Sequence, residues 1–178
     1  MHNFHHLMRD WMREVDAGRL SEVDATGRVA AFIHSKLHCT RVNFWSLEGE
    51  VGNRAMRRIA GYDGPTGQVV TAPLVLHETN GAFFAALLQD GCYVCADTST
   101  DPRLAIIYGS YLQPTSAQAM LVAAFGVNGH TQGLISCVHA EPRKWLPAEI
   151  TALRKCAAEV SLRQARRREN ENPETRHD

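Results

Sequence analysis

Cys137 and His139 stand two apart in the apolar run GLISCVHAEP, which puts a thiol and an imidazole on one face of a strand. That pairing is what a nucleophilic cysteine requires. No glycine elbow or loop able to cradle an oxyanion lies beside the run. A packed cysteine is therefore the simpler reading, the chain is not expected to be an enzyme, and no catalytic residue is assigned. Cys92 and Cys95 form a C-x-x-C within GCYVCAD, a spacing used for metal and redox chemistry. Residues three apart on a strand face opposite ways, so these thiols should diverge and serve as buried structural groups. His34 and His38, four apart on a helical stretch with Cys39 adjacent, have the spacing at which two imidazoles share a metal. No third or fourth ligand accompanies them, and no metal is assigned. A haem would require one axial histidine, for which His77 and His139 are the candidates. The cofactor stays unknown.

The elements that must position these groups follow from periodicity. Phe4, Met8, Trp11, Met12 and Val15 recur at three- and four-residue spacing, one face of an amphipathic helix over residues 1–19 that Gly18 ends. Ser21, with Asp24 three positions on, reads as the N-cap of a second helix through Val23, Ala30, Ile33 and Leu37. CTRVNFWSLEGE then alternates with period two and turns at Gly49–Gly52, and NRAMRRIAGYDG returns as a less regular strand. Pro73 forbids a central strand in the next stretch, leaving an edge strand at most. A short helix follows, with Thr79 as cap, Phe83, Phe84, Leu87 and Leu88 inward and Gly91 as stop. CYVCAD is a buried strand, and Asp101-Pro102 starts a helix ending between Tyr111 and Pro114. Two apolar runs flanking Asn128-Gly129 form the clearest hairpin. A long last helix runs from Pro147 to about Arg168. Its apolar positions Leu146, Ile150, Leu153, Ala157 and Val160 alternate four and three apart, as in a short heptad seam. Residues 169–178 form a charged, aromatic-free tail expected to fray. Hairpin-paired strands with helices gathered at the termini imply an α+β fold on an antiparallel sheet.

The totals close off other classes. Basic and acidic side chains balance at 19 each, so no overall field points to nucleic acid or a membrane surface. The Arg163, Arg166, Arg167 and Arg168 cluster is explained by cations offsetting a helix dipole. The opening MHNFHHLMRDWMREV lacks the apolar core of a secretory signal, and no apolar run is long enough to span a bilayer. A cytoplasmic protein is expected. Five cysteines, odd in number and irregular in spacing, argue against a disulfide framework.

One question remains: why a polar, turn-rich stretch, DTSTDPRLAIIYGSYLQPTSAQAM, should lead into a bare apolar strand. The order of several short motifs answers it. An F-x-A-L helix (Phe84 to Leu87) precedes a strand ending at Asp97. After it come Asp101-Pro102-Arg103, Tyr111-Leu112, a hairpin whose second strand starts at Gly133, and Arg143 with Trp145 before the last helix. Over roughly residues 20–168 this resembles a bacterial GAF domain of the subgroup preceding diguanylate cyclases and histidine kinases. The resemblance implies a central antiparallel sheet with the terminal helices on one face. On the other face a crossover roofs a small-molecule pocket, and the polar stretch would be that roof. Trp45, His77, Phe83, Phe84, Tyr93, Tyr108, Tyr111 and His139 would then lie near the pocket. Asp97 joins them as a candidate contact, although Asp97, Asp101 and Arg103 read first as loop caps and ion pairs. The chain departs from the subgroup in carrying Val122 and Ala124 where an acid followed by proline is common. It also carries Val138 where a second acid is often found. Both changes remove charge, so a more apolar ligand, or none, is expected. Cys92, Cys95 and Cys137 do not match the context of covalent bilin attachment, and the cyclic-nucleotide signature is absent.

The function implied is a sensory or regulatory module that binds an unidentified small molecule and signals through an output partner. The alternatives are a ligand-free dimerisation scaffold and, last, a thiol enzyme such as a GAF-type methionine sulfoxide reductase. A homodimer is expected in the first two cases. Phe4, Met8, Trp11 and Val15, together with the seam Leu146, Ile150, Leu153, Ala157 and Val160, would form its interface.

Overall fold

The structure, a computed structural model, describes residues 2–50, 52–77 and 81–172. The sheet is built from seven strands, β1 (Arg41–Glu48), β2 (Ala55–Asp63), β3 (Gln68–Val70), β4 (Val75–Leu76), β5 (Cys92–Cys95), β6 (Ala119–Val127) and β7 (His130–His139). Their order is β3-β2-β1-β7-β6-β5, with β4 also on β2, and every pairing is antiparallel. The two short strands on either side of Pro73 both lie on the outer edge of β2, where a residue without an N–H breaks no ladder. The β6–β7 turn is the expected one, with Asn128 (φ 52°) and Gly129 (φ 75°) both left-handed.

Helices α1 (His2–Asp16), α2 (Glu22–Leu37) and α5 (Pro147–Glu171) pack on one face. Ser21 caps α2 by accepting a hydrogen bond from the Asp24 N–H at 3.0 Å. His38 closes it in the left-handed region (φ 50°), and His34 packs its ring on Tyr62. Glu149 Oε2 accepts from the Leu146 N–H at 2.8 Å to start α5, which stays helical to Glu171, past the expected end near Arg168. Phe4, Met8, Val29, Ile33, Phe44, Leu121, Ile135 and Leu153 form the core on this side.

The opposite face carries α3 (Ala82–Asp90) and a compressed helical segment. That segment is a 3₁₀ turn at Pro102–Leu104, α4 (Ala105–Ile107) and a π turn at Tyr108–Leu112. Asp101 begins it, Oδ1 accepting from the Arg103 N–H at 3.0 Å. The expected cap Thr79 lies outside the described residues; Gly81 occupies the N-cap position of α3. The second core, with Trp45, Met56, Phe84, Leu87, Leu104, Leu112, Val122 and Leu134, sits between these helices and the sheet. The antiparallel sheet with terminal helices on one face and a helical crossover on the other is the architecture expected from the sequence.

Candidate functional site

Strand alternation sorts the singled-out residues by face. On β1, Val42 and Phe44 enter the helix-side core, whereas Asn43 and Trp45 face the crossover. Trp45 is 2% exposed and donates from Nε1 to Ser136 Oγ at 2.9 Å, with its ring edge-on to Tyr111. Phe83 and Tyr93 meet edge-on at 4.8 Å between α3 and β5, and Phe84 is buried beside them. The Tyr93 hydroxyl donates to Asp101, while burial and that carboxylate push the phenol up. Tyr108 lies at the margin of the same cluster. The structure thus gathers Trp45, Phe83, Phe84, Tyr93, Tyr108 and Tyr111 on the crossover side, in or against its core, with Tyr111 also in the lining of a cavity on that side.

Three other candidates stand apart from that cluster. His77 is exposed. Asp97 caps its own loop, Oδ1 accepting from the Ser99 N–H at 3.0 Å and the Ser99 hydroxyl at 2.6 Å. His139 follows Ile135 and Cys137 in alternation, which sets it on the helix side of the sheet, with Nδ1 3.3 Å from Thr40 Oγ1.

All five cysteines are buried thiols. Cys92 lies in the helix-side core and Cys95 in the crossover-side core, diverging as their spacing requires. Burial pushes Cys95 up to about 11 and Cys156 up to about 12. Cys137 is fully enclosed beside Cys39, and burial raises it well above the ordinary thiol range. Thiols held this way are protonated at neutral pH and make poor nucleophiles.

The seam assigned to a dimer requires correction. Phe4, Met8, Leu153 and Ala157 are 3%, 6%, 0% and 3% exposed within a single chain, and Trp11, Ile150 and Val160 pack against that same core. The four-three spacing is the stripe by which α1 and α5 seat on their own sheet. Val15 is half-buried, and Leu146, the N-cap of α5, is 56% exposed.

The crossover side also holds a cavity, as the resemblance implies, but lined largely by residues that the sequence did not single out. At about 520 Å³, it opens between β1, β2 and the segment after the π turn, with Arg41, Asn43, Arg58, Leu74, Tyr111 and Val138 in its lining. Arg41 donates from Nε to Asp63 Oδ1 at 2.7 Å and from Nη1 to the Thr115 carbonyl at 2.6 Å, joining sheet to roof. Arg58 holds the Ala72 carbonyl through Nε at 3.0 Å and Nη2 at 2.6 Å. Burial works against the Asp63 carboxylate, yet hydrogen bonds from Thr66 and Arg41 hold it below the usual range. Burial also raises the Tyr111 phenol, with the Arg58 and Arg41 charges pulling the other way. Both guanidiniums thus lie within electrostatic reach of the phenol.

An antiparallel sheet with helices of both termini on one face and a cavity under a crossover on the other defines the class as an α+β domain built on a single sheet. The GAF domain family model matches residues 23–163, and the chain belongs to that family. Among solved structures, the chain is similar to the blue-light absorbing form of the Thermosynechococcus elongatus PixJ GAF domain. The identity is 19%, with 85% of this chain and 91% of that chain covered, at a TM-score of 0.68. It is also similar to the phycocyanobilin-bound GAF domain from a cyanobacterial phytochrome, at 15% identity, 97% coverage of each chain and a TM-score of 0.71. The chromophore-binding domain of the R. palustris bacteriophytochrome RpBphP3 aligns at 13% identity, over 91% of this chain and 61% of that one, with a TM-score of 0.65. At these identities the likeness is one of fold. A search of curated proteins finds no match.

Proposed function

We propose that this GAF domain is a regulatory module that binds a small molecule non-covalently beneath its crossover and passes the event to its terminal helices. The observation that carries the reading is the cavity of about 520 Å³, on the face away from those helices. Its size falls in the range of small-molecule sites, and its lining mixes apolar walls with a few polar groups that fix orientation. Its roof is Tyr111, from a π turn, with Pro114, Thr115 and Ser116 just after it; π geometry is often found at functional sites. Arg41 spans sheet and roof, so an occupant that disturbs one disturbs the other. One similar structure is a phycocyanobilin-bound GAF domain, which supports ligand binding on this fold; the buried cysteines favour a ligand held without a thioether.

Native mass spectrometry of the protein as purified, with an absorbance scan, tests this. The expected result is a bound small molecule that leaves on denaturation, or a metabolite whose addition raises the melting temperature. A chain that stays free of ligand and is stabilised by no compound of any class would sink the reading.

A homodimer in the cytoplasm, coupled to an output protein, is the accompanying proposal. The observation favouring it is a groove of about 320 Å³ between α1 and α5, edged by Leu162, which is 45% exposed.

A further inference from the structure

We infer that the polar end of this cavity seats the anionic group of a small organic acid, held by Arg41, Arg58 and Asn43. The inference rests on the ligand-binding reading above and adds the chemical class of the ligand.

The first ground is an unpaired amide. Asn43 is 5% exposed, faces the cavity, and its side chain makes no hydrogen bond among the described residues. Across the ladder its partner is Gly61, where a Cβ would collide with Asn43 Oδ1; β2 therefore leaves the amide its room. The amide opens onto the cavity, so a bound group can take hydrogen bonds there that no protein atom supplies.

The second ground is donors held in place but not used up. Arg41 spends Nε and Nη1 on Asp63 and Thr115, leaving Nη2. Arg58 spends Nε and Nη2 on the Ala72 carbonyl, leaving Nη1. The protein contacts fix both side chains, so little rotamer freedom is lost when the remaining N–H groups engage a ligand. Tyr111, in the same lining, adds a hydroxyl with no hydrogen-bond partner among the described residues.

The third ground is charge. Asp63 is the acid facing these groups, and its oxygens already accept from Arg41 Nε, the Thr66 N–H and the Thr66 hydroxyl. Two guanidiniums against one carboxylate leave a single net positive charge. Such a site repels amines and offers acceptor oxygens a charged N–H donor from each guanidinium, which the oxygens of a carboxylate can accept. Val70, Leu74, Pro114 and Val138 line the remainder and suit a hydrocarbon body. The losses of charge noted at Val122 and Val138 therefore leave the ligand's body apolar, while the anchor lies elsewhere, on β1 and β2.

The test uses the full ¹⁵N-labelled chain titrated with benzoate, benzamide and acetate. It follows the Asn43 side-chain amide and the Arg41 and Arg58 Nε–H signals. Benzoate is expected to move these signals saturably, to bind more tightly than acetate, and to outcompete neutral benzamide. Arg58→Met should weaken benzoate by about tenfold or more, since hydrogen bonds to charged groups are the costly ones to lose. Asn43→Asp, which keeps side-chain volume but adds a negative charge, should abolish benzoate binding while the chain still melts cooperatively. Benzoate that produces no saturable shift, benzamide binding equally well, or Arg58→Met binding like the parent would each overturn the inference. A neutral or cationic ligand found by mass spectrometry, with benzoate silent, would overturn it and leave the ligand-binding reading standing. No ligand of any class would remove both.

Discussion

At the residue scale, the crossover side is organised by polar ties rather than by its aromatic rings alone. Trp45 illustrates this: its ring fills the second core, and its Nε1–H is the partner that lets Ser136, 5% exposed, be buried there. Trp45→Phe keeps most of the apolar volume and the edge contact with Tyr111 but leaves the Ser136 hydroxyl unpaired. The expected loss is about 1–2 kcal/mol, read as a lower urea midpoint with an unchanged slope. A midpoint equal to the parent's would mean that water reaches Ser136 and that the bond is dispensable. The sequence marked Trp45 as an aromatic candidate, yet nothing in it pointed to Ser136, which lies 91 positions away. Arg41, Asn43 and Arg58 were illegible for a related reason. An arginine or asparagine in a strand reads as a solvated residue, and only the register of β1 on β2 brings the three to one cavity.

At the element scale, local pattern and tertiary pairing carried different amounts of the answer. The two terminal helices, the Ser21 cap, the Asn128-Gly129 hairpin and the peripheral position of Pro73 were all readable, because each depends on residues close in sequence. The second strand read poorly. A bulge between Phe44 and Trp45 shifts the β1–β2 register, so the simple alternation that marks a half-buried strand is broken where it was being sought. The four-three stripe of α5 was legible as a buried stripe but not as to what buries it. A sheet and a second copy of the chain ask for the same spacing over so short a run. The structure seats Leu153 at 0% exposure against its own sheet, which changes what a mutation there tests. Leu153→Asp should unfold the domain, since a charge enters a dry core without a partner. Leu162→Asp should leave the fold intact and, if the α1–α5 groove is the interface, yield a monomer by light scattering. A Leu162→Asp protein that remains dimeric would move the interface elsewhere.

At the scale of the whole molecule, a regulatory reading requires that the cavity side and the helix side share a physical connection. Arg143 supplies the helix-side end of one. Its guanidinium donates to the Leu37 carbonyl at 2.7 Å and the His38 carbonyl at 3.1 Å, where α2 ends. It also pairs with Glu149 in the first turn of α5 and lies 4.5 Å over the Trp145 ring. Three residues beyond Leu37, Thr40 docks on β7 through the Val138 carbonyl, and the next residue is Arg41 in the cavity wall. The chain between α2 and β1 thus runs from the helix clamp to the proposed anion seat within a few positions. Arg143 and Glu149 are 19% and 16% exposed, too enclosed for the pair to be a surface ornament. Removing one member leaves the other uncompensated, so Arg143→Ala should cost about 2–3 kcal/mol in chemical denaturation, and Arg143→Lys a large share of it because lysine lacks the fork. Adding Glu149→Ala to Arg143→Ala should recover part of the loss, since the stranded carboxylate is gone; purely additive costs would show that the pair is not coupled. Whether the clamp also carries signal is answered by hydrogen exchange. Benzoate should alter protection at the start of α5 in the parent chain and leave it unaltered in Arg143→Ala, provided the variant still binds. If the change at α5 persists without the Arg143 side chain, the connection runs through the sheet instead.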